Sequence, residues 1–399
     1  YIAFVNPQIL AAAGMDRDAV FVATCLAATF GSAFMGLYAR YPIAVAPGMG
    51  LNAYFAYTVV GTMGYSWQVA LAAVFISGVL FLIISILPIR AWVINAIPPS
   101  QKLAISAGIG LLLGIIALEN AGMVVDDPST LITVGDLADP KAILAGVGFI
   151  IIVALDYHKI PGAILIGILA ITAAAMIAGL AEPQGLFALP SDPSPALLQL
   201  DFTQALELGL VTIAFTFLLL NFFDSSGTLI GVAQRAGFLD KDGHMPRLRR
   251  ALVVDSSATI VGAALGTSTT TAYVESATGV RAGGRTGLTA VVVAFLFLIA
   301  LFFGPLAASV PSYATAPAIL FIACVMAQGI AELDWTDITE SAPGMVTAIG
   351  IPFTFSISTG IGMGFIAYVA IKLLAGRLAD TSPAMIIVAA IFILKFAIS

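Results

Sequence analysis

Between its charged residues and its Pro/Gly breaks the chain runs in apolar stretches at 1–13, 18–39, 42–60, 67–88, 101–119, 141–155 and 160–180. After a polar interval at 181–203 they resume at 205–234, 251–265, 267–280, 286–303, 314–330, 343–355 and 358–375. These fourteen segments divide seven and seven about that interval. A straight helix needs about 20 apolar residues to cross roughly 30 Å of hydrocarbon. Several segments fall short of this, which predicts tilted, broken or half-crossing elements beside full spans. The first segment opens at Tyr1 in mid-run and is read as the remainder of a helix. A further run at 382–398 contains Lys395 and reads as either an extra span or an interfacial helix.

Orientation follows from the basic residues. With the residues before Tyr1 placed in the cytoplasm and the segments alternating, thirteen fall inside: Arg40, Arg90, Lys102, Lys159, Arg235, Lys241, Arg247, Arg249, Arg250, Arg281, Arg285, Lys372 and Arg377. Only Arg17 and Lys141 fall outside. This is the asymmetry that the positive-inside rule requires, and one miscounted span would scramble it. The long outer connections, 120–140 and 181–203, are rich in Asp, Glu, Pro and Ser. Because seven is odd, the second set of segments enters the membrane with the opposite orientation to the first, which is the arithmetic of an inverted repeat. The third segment carries Asn52-Ala53-Tyr54, and the tenth, its counterpart, carries Thr271-Ala272-Tyr273.

Composition then sets the class. Of 399 residues, 60% are hydrophobic and 10% charged, against roughly a quarter charged in a soluble protein. The mean hydropathy is +1.06. So few charges cannot coat a water-exposed surface, and a multi-pass protein of the cell membrane, with lipid as its solvent, is expected. The net charge is −6, and the 16 Lys and Arg form no basic stripe, which excludes nucleic acid as a partner. Cys25 and Cys324 sit in apolar stretches as small hydrophobes, and His158 and His244 lie in polar connections. That leaves no His/Cys metal centre, and no cofactor is expected. A homodimer would need a lipid-facing contact that the sequence does not identify.

Two segments are poorly suited to continuous helix. Segment three reads Ala46-Pro47-Gly48-Met49-Gly50-Leu51-Asn52-Ala53-Tyr54, where Pro removes a donor and the glycines lower helix propensity. Segment ten reads Gly266-Thr267-Ser268-Thr269-Thr270-Thr271-Ala272-Tyr273-Val274-Glu275-Ser276, a β-branched run that favours extended backbone. Unwound backbone at membrane depth is tolerated only where protein or a water-filled cavity satisfies it, and paired breaks in two halves of a transporter mark its binding site. Asp224, inside the long eighth segment, and Glu275, after the threonine run, would each cost several kcal/mol facing lipid and are expected to face inward. A buried carboxylate accepts hydrogen bonds from ligand N–H groups, or takes up and releases a proton, and both residues are candidates for proton coupling. Asp255, near Arg249 and Arg250, is read as a helix-end or ion-pair residue.

Three strings carry a resemblance: AVAPGMGLNAYFAYTVV around Asn52, NFFDSSGTLIGVA around Asp224 and TTTAYVESATGVRAGGRTGLTAV around Glu275. Together with YIAFVNPQIL and PFTFSISTGIGMGF, they resemble the AzgA-like adenine/guanine/hypoxanthine permeases of the nucleobase–cation symporter-2 superfamily along essentially the whole chain. The resemblance implies an all-α polytopic membrane protein of fourteen transmembrane segments in a 7+7 inverted repeat. It implies a core domain from segments 1–4 and 8–11 (1–89 and 204–304) and a gate domain from segments 5–7 and 12–14 (90–203 and 305–399). Short strands in segments three and ten would hold the base between them. By motif, Asp224 and Glu275 would hydrogen-bond the purine and Asn52 would be a third polar contact. Gly50 would let the backbone approach the ligand. Thr271 and Ala272 would lie at the site, and Phe222 or Phe223 would offer a ring face.

The function expected is proton-coupled import of purine bases by alternating access. A uracil or xanthine carrier, or an anion transporter of the same fold, is the nearer alternative. An intramembrane enzyme is disfavoured, because no span carries clustered His/Glu or a lysine beside a serine nucleophile.

Overall fold

The computed structural model describes residues 1–87, 97–127, 131–203, 208–238, 245–273 and 275–398. Arg90, Lys241 and His244 lie outside the described residues, as do the side chains of Phe223, Arg235, Arg281 and Lys395. In chain order the elements begin with α1 (Ile2–Ala11), α2 (Arg17–Phe34), β1 (Val45–Pro47), α3 (Met49–Ala53), α4 (Trp67–Ile86) and α5 (Pro99–Asn120). Next come β2 (Val124–Asp127), β3 (Leu131–Val134), α6 (Pro140–Tyr157), α7 (Ala163–Ile177), α8 (Leu208–Ala236), α9 (Leu248–Leu265) and β4 (Thr270–Ala272). The rest are α10 (Ser276–Arg281), α11 (Gly287–Ala300), α12 (Gly304–Ala308), α13 (Ser312–Ala327), α14 (Ile338–Phe353), α15 (Ile357–Leu374) and α16 (Pro383–Ile398). Wider π-type winding extends α2 over Met35–Ala39 and α3 over Tyr54–Thr62.

The helices begin where the sequence offers a cap. Asp16 accepts from the Ala19 N–H to start α2, Ser66 from Val69 to start α4, and Asp139 from Lys141 to start α6 with Pro140 in its first turn. Among the described residues six helical stretches are long and apolar enough to cross a membrane: Arg17–Ala39, Trp67–Ile86, Pro99–Asn120, Pro140–Tyr157, Gly287–Ala308 and Ser312–Ile330. Their enclosure differs, from 67% of the window buried at Arg17–Ala39 to 22% at Pro140–Tyr157 and Gly287–Ala308.

The chain divides into two compact units, Tyr1–Pro88 with Pro183–Ser309 and Ile89–Glu182 with Val310–Ser399. In the first, α2, α4 and α9 pack together, and β1 and β4 meet as a short antiparallel pair among them. In the second, α5 packs against α13 and α14, and α15 against α14. The latter unit has a charged cluster near one end. Buried Lys372 of α15 reaches Glu340 of α14 at 2.7 Å, and the carboxylate also accepts from Tyr368 at 3.0 Å and from Ser100 of α5 at 2.5 Å. Beside it Arg377 pairs with Asp337 at 2.6 Å. Outside the helices' apolar windows, the Thr339 hydroxyl and then Arg377 hold the Asp337 carboxyl well below the usual carboxylate range.

The 120–140 connection carries an antiparallel strand pair in which Val124 faces Val134 and Asp126 faces Ile132. Strands are thus not confined to segments three and ten. The β-branched Val124, Val125, Ile132, Thr133 and Val134 are the physical reason, since they suit a pleated, half-exposed surface. The 382–398 run is helical as α16.

Candidate functional site

The two broken segments meet. β1 and β4 pair with Val45 opposite Ala272, Ala46 opposite Thr271 and Pro47 opposite Thr270. Unwound backbone in this setting must have its polar groups satisfied, and here helix side chains do much of it. Ser32 of α2 accepts from the Val45 N–H and donates to the Val45 carbonyl, both at 3.0 Å. Thr259 of α9 donates to the Thr270 carbonyl at 2.9 Å, and the Ala272 N–H donates to Asp255 Oδ1 at 2.7 Å. Beyond the pair, the Gly48 N–H reaches the Thr269 carbonyl and the Tyr273 N–H the Ala44 carbonyl, each at 2.9 Å. The Tyr273 hydroxyl donates across to the Pro47 carbonyl at 2.6 Å.

The break in segment three is shorter than its Pro and glycines suggest. Helix resumes at Met49, so Gly50 and Asn52 sit on α3, and only Val45–Pro47 is extended. In segment ten the reversal is sharper. Gly266 ends α9 at φ +94°, and a Cβ there would lie 2.4 Å from both Cβ and O of Ala196. No other residue type provides both the left-handed turn and the close approach.

Asp224 and Glu275 come together at this crossing. Asp224 lies on α8 with an exposed side chain, Glu275 lies in the turn between β4 and α10, and the two carboxyl groups are within Coulombic range of each other. Tyr273 is within range of both. One Glu275 oxygen accepts from the Tyr1 hydroxyl at 2.6 Å.

Asp255 corrects the reading of a helix-end ion pair. It is fully buried, and its carboxylate accepts from the Ala272 N–H, from the Thr271 hydroxyl at 3.2 Å and from the Ser225 hydroxyl. It therefore ties β4 to α8 one residue from Asp224. A legible signal existed: Asp255 and Thr259 on one segment, and Asn221 and Ser225 on another, are polar pairs at i, i+4 that line one helix face each. The faces meet, with Asn221 donating to Thr259 at 3.0 Å.

Asn52 is fully buried and already engaged. Its amide N–H donates to the Asn6 side-chain carbonyl, and its own carbonyl accepts from Ser268. Asn6, next to Pro7 in mid-helix, also donates to Thr24 at 2.7 Å and to Thr267 at 2.9 Å. Four segments are pinned by one amide, a role that sequence reasoning did not assign to Asn6. Thr271 and Ala272 are buried in β4, with Thr271 also 2.7 Å from the Ser225 hydroxyl. Phe222 is fully buried and edge-on to Phe81, with centroids 5.3 Å apart. Among the described residues no group of His, Cys, Asp and Glu has the arrangement of a metal site.

The profile of the permease family matches residues 1–363. The chain belongs to that family. It is 47% identical over 395 residues to the adenine permease AdeP of Escherichia coli (strain K12), covering 99% of this chain and 89% of that protein. It is 43% identical over 403 residues to the guanine/hypoxanthine permease PbuO of Bacillus subtilis (strain 168), covering 99% and 93%. These relatives agree with the AzgA-like resemblance, and the protein is a multi-pass protein of the cell membrane. Among solved structures, the transmembrane domain of the cyanobacterial bicarbonate transporter BicA aligns with a TM-score of 0.67 at 18% identity, covering 91% of this chain and 94% of that one. That likeness gives the fold of a membrane transporter.

Proposed function

We propose that this permease carries purine bases, coupled to protons, by alternating access. The observation that carries the reading is that Asp224 of α8 and Glu275 after β4 lie within Coulombic range of each other, α8 being tied to β4 through Ser225, Thr271 and Asp255, in a chain whose relatives are adenine and guanine/hypoxanthine permeases. Purine edges present ring N–H and exocyclic amino donors, and carboxylate oxygens are acceptors for them. Asn52 of α3 is held by Asn6 and Ser268 and would be a third polar contact, Gly50 lies in the same short helix, and Thr271 and Ala272 would lie at the site. Among the described residues Tyr1 and Tyr273 bring aromatic surface to Glu275, while Phe222 is buried against Phe81.

In this reading the fourteen segments cross the membrane as a 7+7 inverted repeat. Segments 1–4 and 8–11 form the core that carries the site, and segments 5–7 and 12–14 form the gate against which it moves. Two carboxylates sharing one region resist simultaneous ionisation, which suits one of them to carry a proton. A proton moving down 100 mV supplies about 2.3 kcal/mol. The fold is shared with a bicarbonate transporter, but an anion would be repelled by Asp224 and Glu275.

Uptake of radiolabelled adenine or hypoxanthine, in cells lacking their own purine carriers, tests the proposal. Competition by a panel of bases at two external pH values is expected to show displacement by purines and faster accumulation at the lower pH. Displacement by uracil or bicarbonate but by no purine would overturn the substrate class, and pH-independent accumulation would remove the proton.

A further inference from the structure

We propose that Tyr1 is a positioning residue of the binding site, holding the Glu275 carboxylate in place through its phenolic hydroxyl. This rests on the reading of Glu275 as a ligand contact. The hydroxyl donates to Glu275 Oε1 at 2.6 Å, across 274 positions of sequence. A glutamate has three rotatable side-chain bonds and loses rotamer freedom when it is fixed. At the turn between β4 and α10 Glu275 is only partly buried, so packing alone does not select its rotamer.

Tyr1 can select it because Tyr1 is itself fixed at both ends. Its carbonyl is the first acceptor of α1, receiving the N–H groups of Phe4 at 2.9 Å and Val5 at 3.1 Å. Its ring stacks on Tyr273 with centroids 6.4 Å apart and 22° between planes. Tyr273 is anchored in turn to the strand pair, by its N–H on Ala44 and its hydroxyl on Pro47. The carboxylate is therefore referenced to the β1/β4 crossing by a rigid aromatic pair, and Oε1 is committed to the phenol. Among the described residues Oε2 has no hydrogen-bond partner, and it is the acceptor offered to a ligand N–H. A planar base bearing ring N–H or amino donors is the class of ligand that such an acceptor beside aromatic edges recognises.

The test compares the full-length protein with Tyr1→Phe, which keeps the ring and removes only the donor. Initial-rate uptake of radiolabelled hypoxanthine and adenine is expected to show KM raised about tenfold, the loss of one hydrogen bond to a charged group, with membrane abundance unchanged. A KM within twofold of wild type would overturn the proposal, as would a fall in abundance that alone accounts for the lost uptake. A double-mutant cycle of Tyr1→Phe and Glu275→Gln, read as melting temperature of the purified ligand-free protein, is independent of substrate. Non-additivity of about 2 °C or more is expected, and strict additivity overturns the pairing. Coupling in the cycle without purine uptake by the wild type would leave Tyr1 in place and sink the purine reading instead.

Discussion

Asp255 offers the sharpest test of how the unwound backbone is held. Its carboxylate accepts from Ala272 N–H at 2.7 Å, Thr271 Oγ1 at 3.2 Å and Ser225 Oγ, with the residue fully buried. The two hydroxyls can rotate toward other partners, since each is 2.7 Å from the other. The amide N–H cannot. Asp255→Ala strands that donor at a cost of about 1 to 3 kcal/mol, to which loss of the hydroxyls' charged acceptor adds about 1 to 2 kcal/mol. Asp255→Asn can keep its carbonyl on Ala272 and turn its amide toward Ser225, which then accepts, so only the charge assistance is lost, about 1 kcal/mol. The Ala variant is thus expected to be less stable than the Asn variant by about 1 to 4 kcal/mol. Thermal unfolding of the purified proteins, followed by fluorescence-detected size exclusion, measures the order. Purine uptake should fall further in the Ala variant, because β4 leads directly into Glu275. Equal melting of the two variants would refute the claim that Asp255 serves as the acceptor for this strand.

Other perturbations test neighbouring parts of the account. Lys372→Met leaves Glu340 facing a buried apolar side chain and is expected to cost about 3 kcal/mol, while Lys372→Met with Glu340→Gln recovers much of that loss; melting temperatures that simply add would contradict the ion pair. Gly266→Ala must adopt φ +94° with its Cβ 2.4 Å from Ala196, which should lower stability by about 2 kcal/mol or more and reduce membrane abundance; normal expression and melting would argue against the sharp reversal after α9. Asn6→Ala and Asn52→Ala break the same buried amide pair, so the double variant is expected to melt no more than slightly below the worse single one; full additivity would show the two side chains acting separately.

The sequence made the architecture legible wherever a local rule acts alone. Pro47 and the glycines around it, and the β-branched run Thr269–Thr271, each disfavour helix by themselves, so both breaks could be located before their partner was known. Their pairing register could not, because it depends on residues more than 200 positions apart. The β2/β3 pair is hard to read for a different reason: its β-branched residues stand among Asp, Pro and Gly. Asp255 was misread because Arg249 and Arg250 are near it in sequence, whereas its partners, Ser225, Thr271 and Ala272, lie on two other segments. A lone carboxylate in an apolar span signals an interior partner, and Asp255 met that criterion as well as Asp224 did. Asn52 has a structural tie that no motif reveals, its amide meeting Asn6 and Ser268 from segments one and ten.

The central claim is that Asp224 and Glu275 together hold a purine base, and equilibrium binding to the purified protein tests it without requiring transport. Radiolabelled hypoxanthine or adenine is expected to bind saturably to the wild type and to be displaced by unlabelled purines. Asp224→Asn and Glu275→Gln should each weaken binding at least about tenfold, the loss of one charge-assisted hydrogen bond, while melting near the wild-type temperature. Wild-type affinity in both variants would contradict the account.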